Sequence, residues 1–287
     1  MSEQDEETEI GKKMPLFEHL VELRRRLTWS IVVLGVVFVV CFGFFANEIF
    51  EFLVQPLADV LAKHTDTPHR MIFTALHEKF LVNIKVSLFA SLFVTFPFIA
   101  VQFWLFVAPG LYKRERRALA PYLVATPILF FMGGALVYYF IFPLAWKFFL
   151  SFEQTGAGGG IPIQLEAKVD QYLSLVMQLI FAFGLCFQLP VLLTLLARVG
   201  LIGSAGLKSK RKYAIVIAFV AAAVLTPPDV ISQIGLAIPI LLLYEVSIFA
   251  VKMVEKRRAK EAEAAEAEDE GSGGDSTDEE PEAKPAE

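Results

Sequence analysis

Two acidic residues sit in this chain where the surrounding basic residues would do all that a membrane boundary requires. Glu115 lies in Tyr112-Lys-Arg-Glu-Arg-Arg117, fenced by Lys113, Arg114, Arg116 and Arg117, directly after an apolar run that Pro109-Gly110 ends. Glu22 lies in Leu16-Phe-Glu-His-Leu-Val-Glu-Leu-Arg-Arg-Arg-Leu27, two residues ahead of an arginine triplet. A carboxylate among cations at the end of an apolar run binds; it makes and breaks no covalent bonds. No nucleophile elbow, phosphate loop, metal-ligand cluster or pair of catalytic carboxylates occurs in the chain, so an enzyme reading has no residues to stand on, and no cofactor, metal or nucleic acid is called for. Each acid also has a plainer role open to it. Glu22 precedes Arg26 by four residues, the favourable order for a helical ion pair, and Glu115 could simply temper the repulsion between its neighbours.

The elements that carry these acids belong to a membrane protein. Hydrophobic residues make up 55% of the 287-residue chain, its mean hydropathy is +0.55 and it has 27 phenylalanines, more apolar surface than a soluble domain of this size can cover. The net charge of -5 conceals an asymmetry. Residues 259–287 hold 12 acids against Lys260 and Lys284, while the remainder carries 24 basic and 19 acidic residues, a balance of +5. Cys41 and Cys186 lie inside apolar runs with no partner at metal spacing, which assigns them to packing.

The pattern predicts an all-α, polytopic membrane protein with six transmembrane helices and both termini in the cytoplasm. Residues 1–15 read as disordered. Residues 16–258 form the membrane domain, and 259–287 an acidic, mostly disordered cytoplasmic tail whose Ala/Glu-rich start has helical composition. Leu16, Leu20, Leu23 and Leu27 give an amphipathic entry helix over 16–27. The spans fall at about 27–46, 86–108, 119–142, 171–198, 213–225 and 230–251. The first imitates a secretory signal, but it is too long and lacks a small-residue cleavage site after Phe45. The fifth is short, the sixth could be short as well, and the sixth comes back from the sharp turn Thr226-Pro-Pro-Asp229. The 13 residues of the fifth reach about 20 Å at 1.5 Å per residue, against roughly 30 Å of hydrocarbon. Basic residues cluster at 24–26, 113–117, 208–212 and 256–258 and are sparser in the other loops, which places those four clusters inside. Pro56 falls in the first external segment, expected to be a partly helical cap over about 47–85. Gln188 and Glu245 are the polar residues nearest mid-membrane. A proton-coupled solute transporter built on either is the alternative reading, although no internal repeat supports it.

Three stretches together resemble one family. Phe17-Glu-His-Leu-Val-Glu-Leu-Arg-Arg-Arg-Leu27, Gln102-Phe-Trp-Leu-Phe-Val-Ala-Pro-Gly-Leu-Tyr-Lys-Arg-Glu-Arg116 and Leu225-Thr-Pro-Pro-Asp-Val230 are similar, in order and in register, to the TatC subunit of the twin-arginine protein translocase. The resemblance runs to about Arg258. It implies a receptor in the bacterial inner membrane that recognises the Arg-Arg signal peptide of folded proteins. Such a receptor docks its cargo for export, driven by the proton motive force, with TatA-like and TatB-like single-span partners, within a complex containing several copies of itself. The resemblance assigns Glu22 and Glu115 to the patch that receives the twin arginines, together with Phe106, Arg24 and His19. It gives structural or partner-contact roles to Pro56, Gln188 and Asp229, and beside the short fifth span Thr226 and Gln233 are placed to hydrogen-bond an incoming helix or to satisfy freed backbone groups. Two carboxylates suit a guanidinium pair because each can accept bidentate, charge-assisted bonds that lysine copies poorly. Phe106 could equally be lipid-facing packing, Pro56 a turn residue and Asp229 the cap of the sixth helix. Gln188 departs from the family, many of whose members carry a glutamate there.

Overall fold

The structure, a computed structural model, describes the backbone of residues 3–64, 70–107, 120–153, 165–225 and 230–272. Side chains are described for 17–63, 70–106, 121–153, 165–225 and 233–260. The described chain is helical almost throughout, and among the described residues its one β contact is a parallel bridge between Ile72 and Lys168. Five helices are long and apolar enough to cross a membrane: Phe17–Lys63, Glu78–Phe106, Pro121–Leu150, Val169–Arg198 and Gln233–Lys260. The short fifth span expected from the sequence is α9, Arg211–Leu225, whose 15 residues reach about 22 Å. It packs against α10, Val230–Ser272, and against α6, Val169–Cys186. Those neighbours cover part of a span too short for the hydrocarbon.

Three of the long helices are compound. α1, Glu3–Val40, passes through a π turn at Cys41–Phe45 into α2, Ala46–His64, with no break between them. The π turn adds a residue and rotates the helix beyond it, so the outward-facing Ile31, Val32, Val36 and Val39 of α1 give way to the buried Leu53, Leu57 and Val60 of α2. The segment after the first span therefore begins as a direct continuation of it. Pro56 is buried inside that helix and is not a turn residue. Proline has no N–H for the carbonyl four residues back, and the hydroxyl of Tyr138 donates to this carbonyl, Phe52 O, at 2.7 Å. Tyr172 donates to the next carbonyl, Leu53 O, at 3.0 Å. The donor that the proline lacks is thus supplied by Tyr138 from another helix, and Tyr172 adds a second tie beside it.

The third span is also longer than its sequence pattern, with α4, Ala120–Leu136, continuing through a second π turn, Val137–Ile141, into α5, Phe142–Leu150. The fourth is interrupted: α6 stops at Cys186 and α7, Leu189–Arg198, starts after Phe187 and Gln188, with Pro190 in its first turn. α4 and α6 touch through glycine, since a Cβ at Gly133 would lie 2.7 Å from the Phe183 carbonyl and one at Gly184 would lie 2.6 Å from the Phe130 ring. Phe130, Phe142 and Phe183 are fully buried in this contact and its continuation.

The sixth span is not short, since α10 runs unbroken from Val230 through the Ala/Glu-rich start of the tail, whose composition is helical. The backbone before residue 16 is helical where the sequence reads as disordered. Residues from Glu3 are helical in continuity with α1, and α10 stays helical through the Ala/Glu-rich run to Ser272. Extending a nucleated helix costs far less than starting one, and Ala, Glu and Lys are good helix formers.

Candidate functional site

The described half of the predicted site forms where the start of α1 crosses the end of α3, Glu78–Val107. His19, Glu22 and Arg26 recur at helical spacing on one face of α1, the spacing that brings side chains together on a helix. α3 presents Gln102 and Phe106, one helical turn apart, to that face. The His19 imidazole stacks on the Phe106 ring, with centroids 4.2 Å apart and planes inclined by 13°. Phe106 is half-buried, with one face of its ring covered by His19.

Glu22 is held by the chain's own arginine. Arg26 Nε donates to Glu22 Oε1 at 3.0 Å, its Nη2 donates to the same oxygen, and its Nη1 donates to Gln102 Oε1 at 3.2 Å. Both partners are partly buried, Arg26 18% and Glu22 26% exposed, which sets the pair apart from an ordinary surface pair. Glu22 precedes the uncharged apolar run of this helix, which begins at Leu27. The hydrogen bond from Arg26 draws its carboxyl below the ordinary value against partial desolvation, and the charges of Arg26, His19 and Arg25 add to the lowering. Next to this cluster Leu20, Leu23 and Leu27, with Phe17 and Val21, are exposed, an apolar stripe facing outward from the bundle.

Arg24 stands apart from this group. It lies about 200° around α1 from Glu22 at 100° per residue and is exposed, its carbonyl accepting the Thr28 hydroxyl at 2.8 Å. The structure puts Arg26 and Gln102 beside Glu22 instead. The four-residue spacing of Glu22 and Arg26 is visible in the sequence, whereas Gln102, 76 residues away, has no local signal. Glu115, Thr226 and Asp229 lie outside the described residues.

Two other predicted positions stitch helices together. Gln188 Nε2 donates to the Thr126 carbonyl of α4 at 3.0 Å and to Gly184 O at 3.4 Å. Thr126 Oγ1 in turn accepts from Trp104 Nε1 of α3 at 2.9 Å and donates to Tyr122 O at 2.7 Å. Gln188 acts as a hydrogen-bond donor at the break between α6 and α7, a role an ionised glutamate could not fill. Gln233 of α10 donates to Phe219 O of α9 at 3.2 Å. Glu245, the transporter candidate, is half-exposed and paired with Arg211 at 2.6 Å. Among the described residues no three His, Cys, Asp or Glu side chains gather as a metal site.

Comparison with known proteins points in one direction. The family model for the Sec-independent protein translocase protein TatC matches residues 18–239. A TatC protein of Magnetococcus marinus is 51% identical over 259 residues, covering 90% of this chain and 92% of its own length. The TatC protein of Escherichia coli K12 is 40% identical over 240 residues, covering 84% and 89%. A crystal structure of the twin-arginine translocase receptor TatC superposes with a TM-score of 0.70 at 38% identity, covering 83% of this chain and 99% of that one.

Proposed function

The chain belongs to the TatC family of Sec-independent protein translocase proteins, and from that premise we propose that the α1–α3 crossing is where it receives the arginines of a twin-arginine signal peptide. The protein is an integral component of the twin-arginine translocase in the bacterial inner membrane. In the proposed reading Glu22 and Glu115 each take one guanidinium. His19 and Phe106 form the wall beside them, and Arg24, on the far side of α1, holds the entry helix at anionic headgroups. The site faces the cytoplasm together with both termini, as the clustering of basic residues requires. Residues 16–258 work as one membrane body. Pro56, Gln188, Thr226, Asp229 and Gln233 support the helices or contact the TatA-like and TatB-like subunits, and several copies of the chain share one complex.

One observation carries this reading. Glu22 already binds a guanidinium through two nitrogens in a partly buried, cross-helix setting, so the geometry that recognition needs is built into the resting site. The test is photocrosslinking of an Arg-Arg signal peptide to probes along residues 16–27 and 103–117 in membranes containing the whole translocase. Glu22→Ala and Glu115→Ala should each cut crosslinking severalfold while the protein stays inserted, and charge reversal to lysine should cut it further. Crosslinking that both alanine variants leave at the wild-type level rules the assignment out.

A further inference from the structure

The bond that fills Glu22 also poses a problem for recognition, because an incoming arginine finds its carboxylate taken. We infer that Arg26 is an internal competitor for the signal peptide, with Gln102 as the place that keeps Arg26 when it is displaced, so that the pair sets selectivity for arginine. This inference rests on the reading that Glu22 receives a signal-peptide arginine.

In the resting site one guanidinium spans two acceptors on two helices: Nε and Nη2 on Glu22 Oε1, and Nη1 on Gln102 Oε1 at 3.2 Å. The bonds to Glu22 come from a residue one turn along the same helix, and both partners retain access to solvent, 18% and 26% exposed. Such a pair is worth little enough to exchange, unlike a fully buried one. A ligand that displaces Arg26 must replace two N–H donors at one carboxylate. A planar guanidinium can do so, whereas an ammonium offers a point charge. Lysine in the signal therefore competes against arginine for an arginine-shaped site and loses. Gln102 lowers the cost of the exchange. It is neutral, so it does not draw Arg26 away from Glu22 in the resting state, but its carbonyl oxygen remains an acceptor after Glu22 is lost. Without it, displaced Arg26 would leave a partly buried cation with one fewer partner.

The two residues thus have opposite predicted effects, which a merely structural contact would not produce. The experiment titrates fluorescent Arg-Arg and Lys-Lys signal peptides against the full chain with its partner subunits in nanodiscs. Arg26→Gln removes the competitor and should tighten Arg-Arg binding about threefold, the scale of a partly exposed ion pair, while tightening Lys-Lys binding at least as much, so that the ratio between peptides falls. Gln102→Leu should weaken Arg-Arg binding. Arg25→Gln makes the same change of charge on an exposed neighbour and should alter neither ratio nor affinity by as much. If Arg26→Gln prevents insertion, Arg26→Lys serves instead, with a smaller gain and the same fall in ratio. Weaker binding in both Arg26→Gln and Gln102→Leu, an unchanged ratio, or an equal gain in Arg25→Gln overturns the proposal. Glu22→Gln separates the two levels: if it leaves binding intact, the receptor reading itself fails. If it weakens binding while Arg26→Gln fails to tighten it, only the competition is lost.

Discussion

Glu22, on α1 beside the last turns of α3, and Glu78, at the first turn of α3, differ in what holds them: a side chain that can exchange in one case and backbone that cannot in the other. Both are drawn below the ordinary carboxylate value by hydrogen bonds. The donor to Glu22 is the mobile head of an arginine. Glu78, at the first turn of α3 and ahead of the apolar run at 86–108, is held on one oxygen by its own loop: Thr74 N–H at 2.8 Å, Thr74 hydroxyl at 3.1 Å and Ala75 N–H at 3.3 Å, all on Oε2, while its buried Oε1 has no hydrogen-bond partner among the described residues. Lys168 stands 4.0 Å away and belongs to the segment that pairs with Ile72, so Glu78 also anchors the junction of two loops. Backbone donors cannot leave without unfolding the turn. A perturbed acid is therefore a candidate receptor only where its donor is free to exchange.

The largest effect that tests this contrast is Glu78→Ala. It removes the acceptor for two backbone N–H groups at the start of a membrane helix and the partner of Lys168, and should sharply reduce the amount of folded protein recovered in a mild detergent. Glu22→Ala should leave that amount near wild type and impair signal-peptide binding alone. Equal yields for the two variants would erase the distinction between a locked and an exchangeable carboxylate.

How far the sequence reveals these roles depends on the range of each interaction. The long spans are local patterns of composition and are legible, as is the four-residue spacing of Glu22 and Arg26. The π turns at Cys41–Phe45 and Val137–Ile141 are not, because one added residue inside an apolar run changes the facing of a helix but not its composition. The contacts of Gln102 with Arg26 and of Tyr138 with Phe52 join residues 76 and 86 positions apart, and a single sequence holds no trace of them. Gln188 lies between these cases. Its difference from the family is visible in the sequence, but its role as donor to Thr126 O appears only once α4 and α6 are packed. Glutamate at this place can donate only when protonated. Gln188→Glu should thus be less stable than wild type by about 1–3 kcal/mol at neutral pH, the cost of a buried acceptor left unpaired, and should recover stability as pH falls into the carboxylate range. Thermal unfolding in detergent at two pH values checks this, and equal losses at both would show that the amide matters for shape alone.

The smallest effect is the one that distinguishes the two ends of α3 by proton. A carboxyl lowered in the folded protein contributes stability or binding above its ordinary value of 4.5 and loses it only as pH falls through the lower folded value. Signal-peptide binding and thermal stability should therefore both hold at pH 4.5 and fail in more acidic solution. Arg26→Gln removes the first cause of the lowering at Glu22 and none of the donors to Glu78. In that variant the acid limb of peptide binding should move to higher pH while the acid limb of thermal stability stays in place. A common shift of both limbs would mean that Arg26 acts through the fold, and that Glu22 is locked as firmly as Glu78.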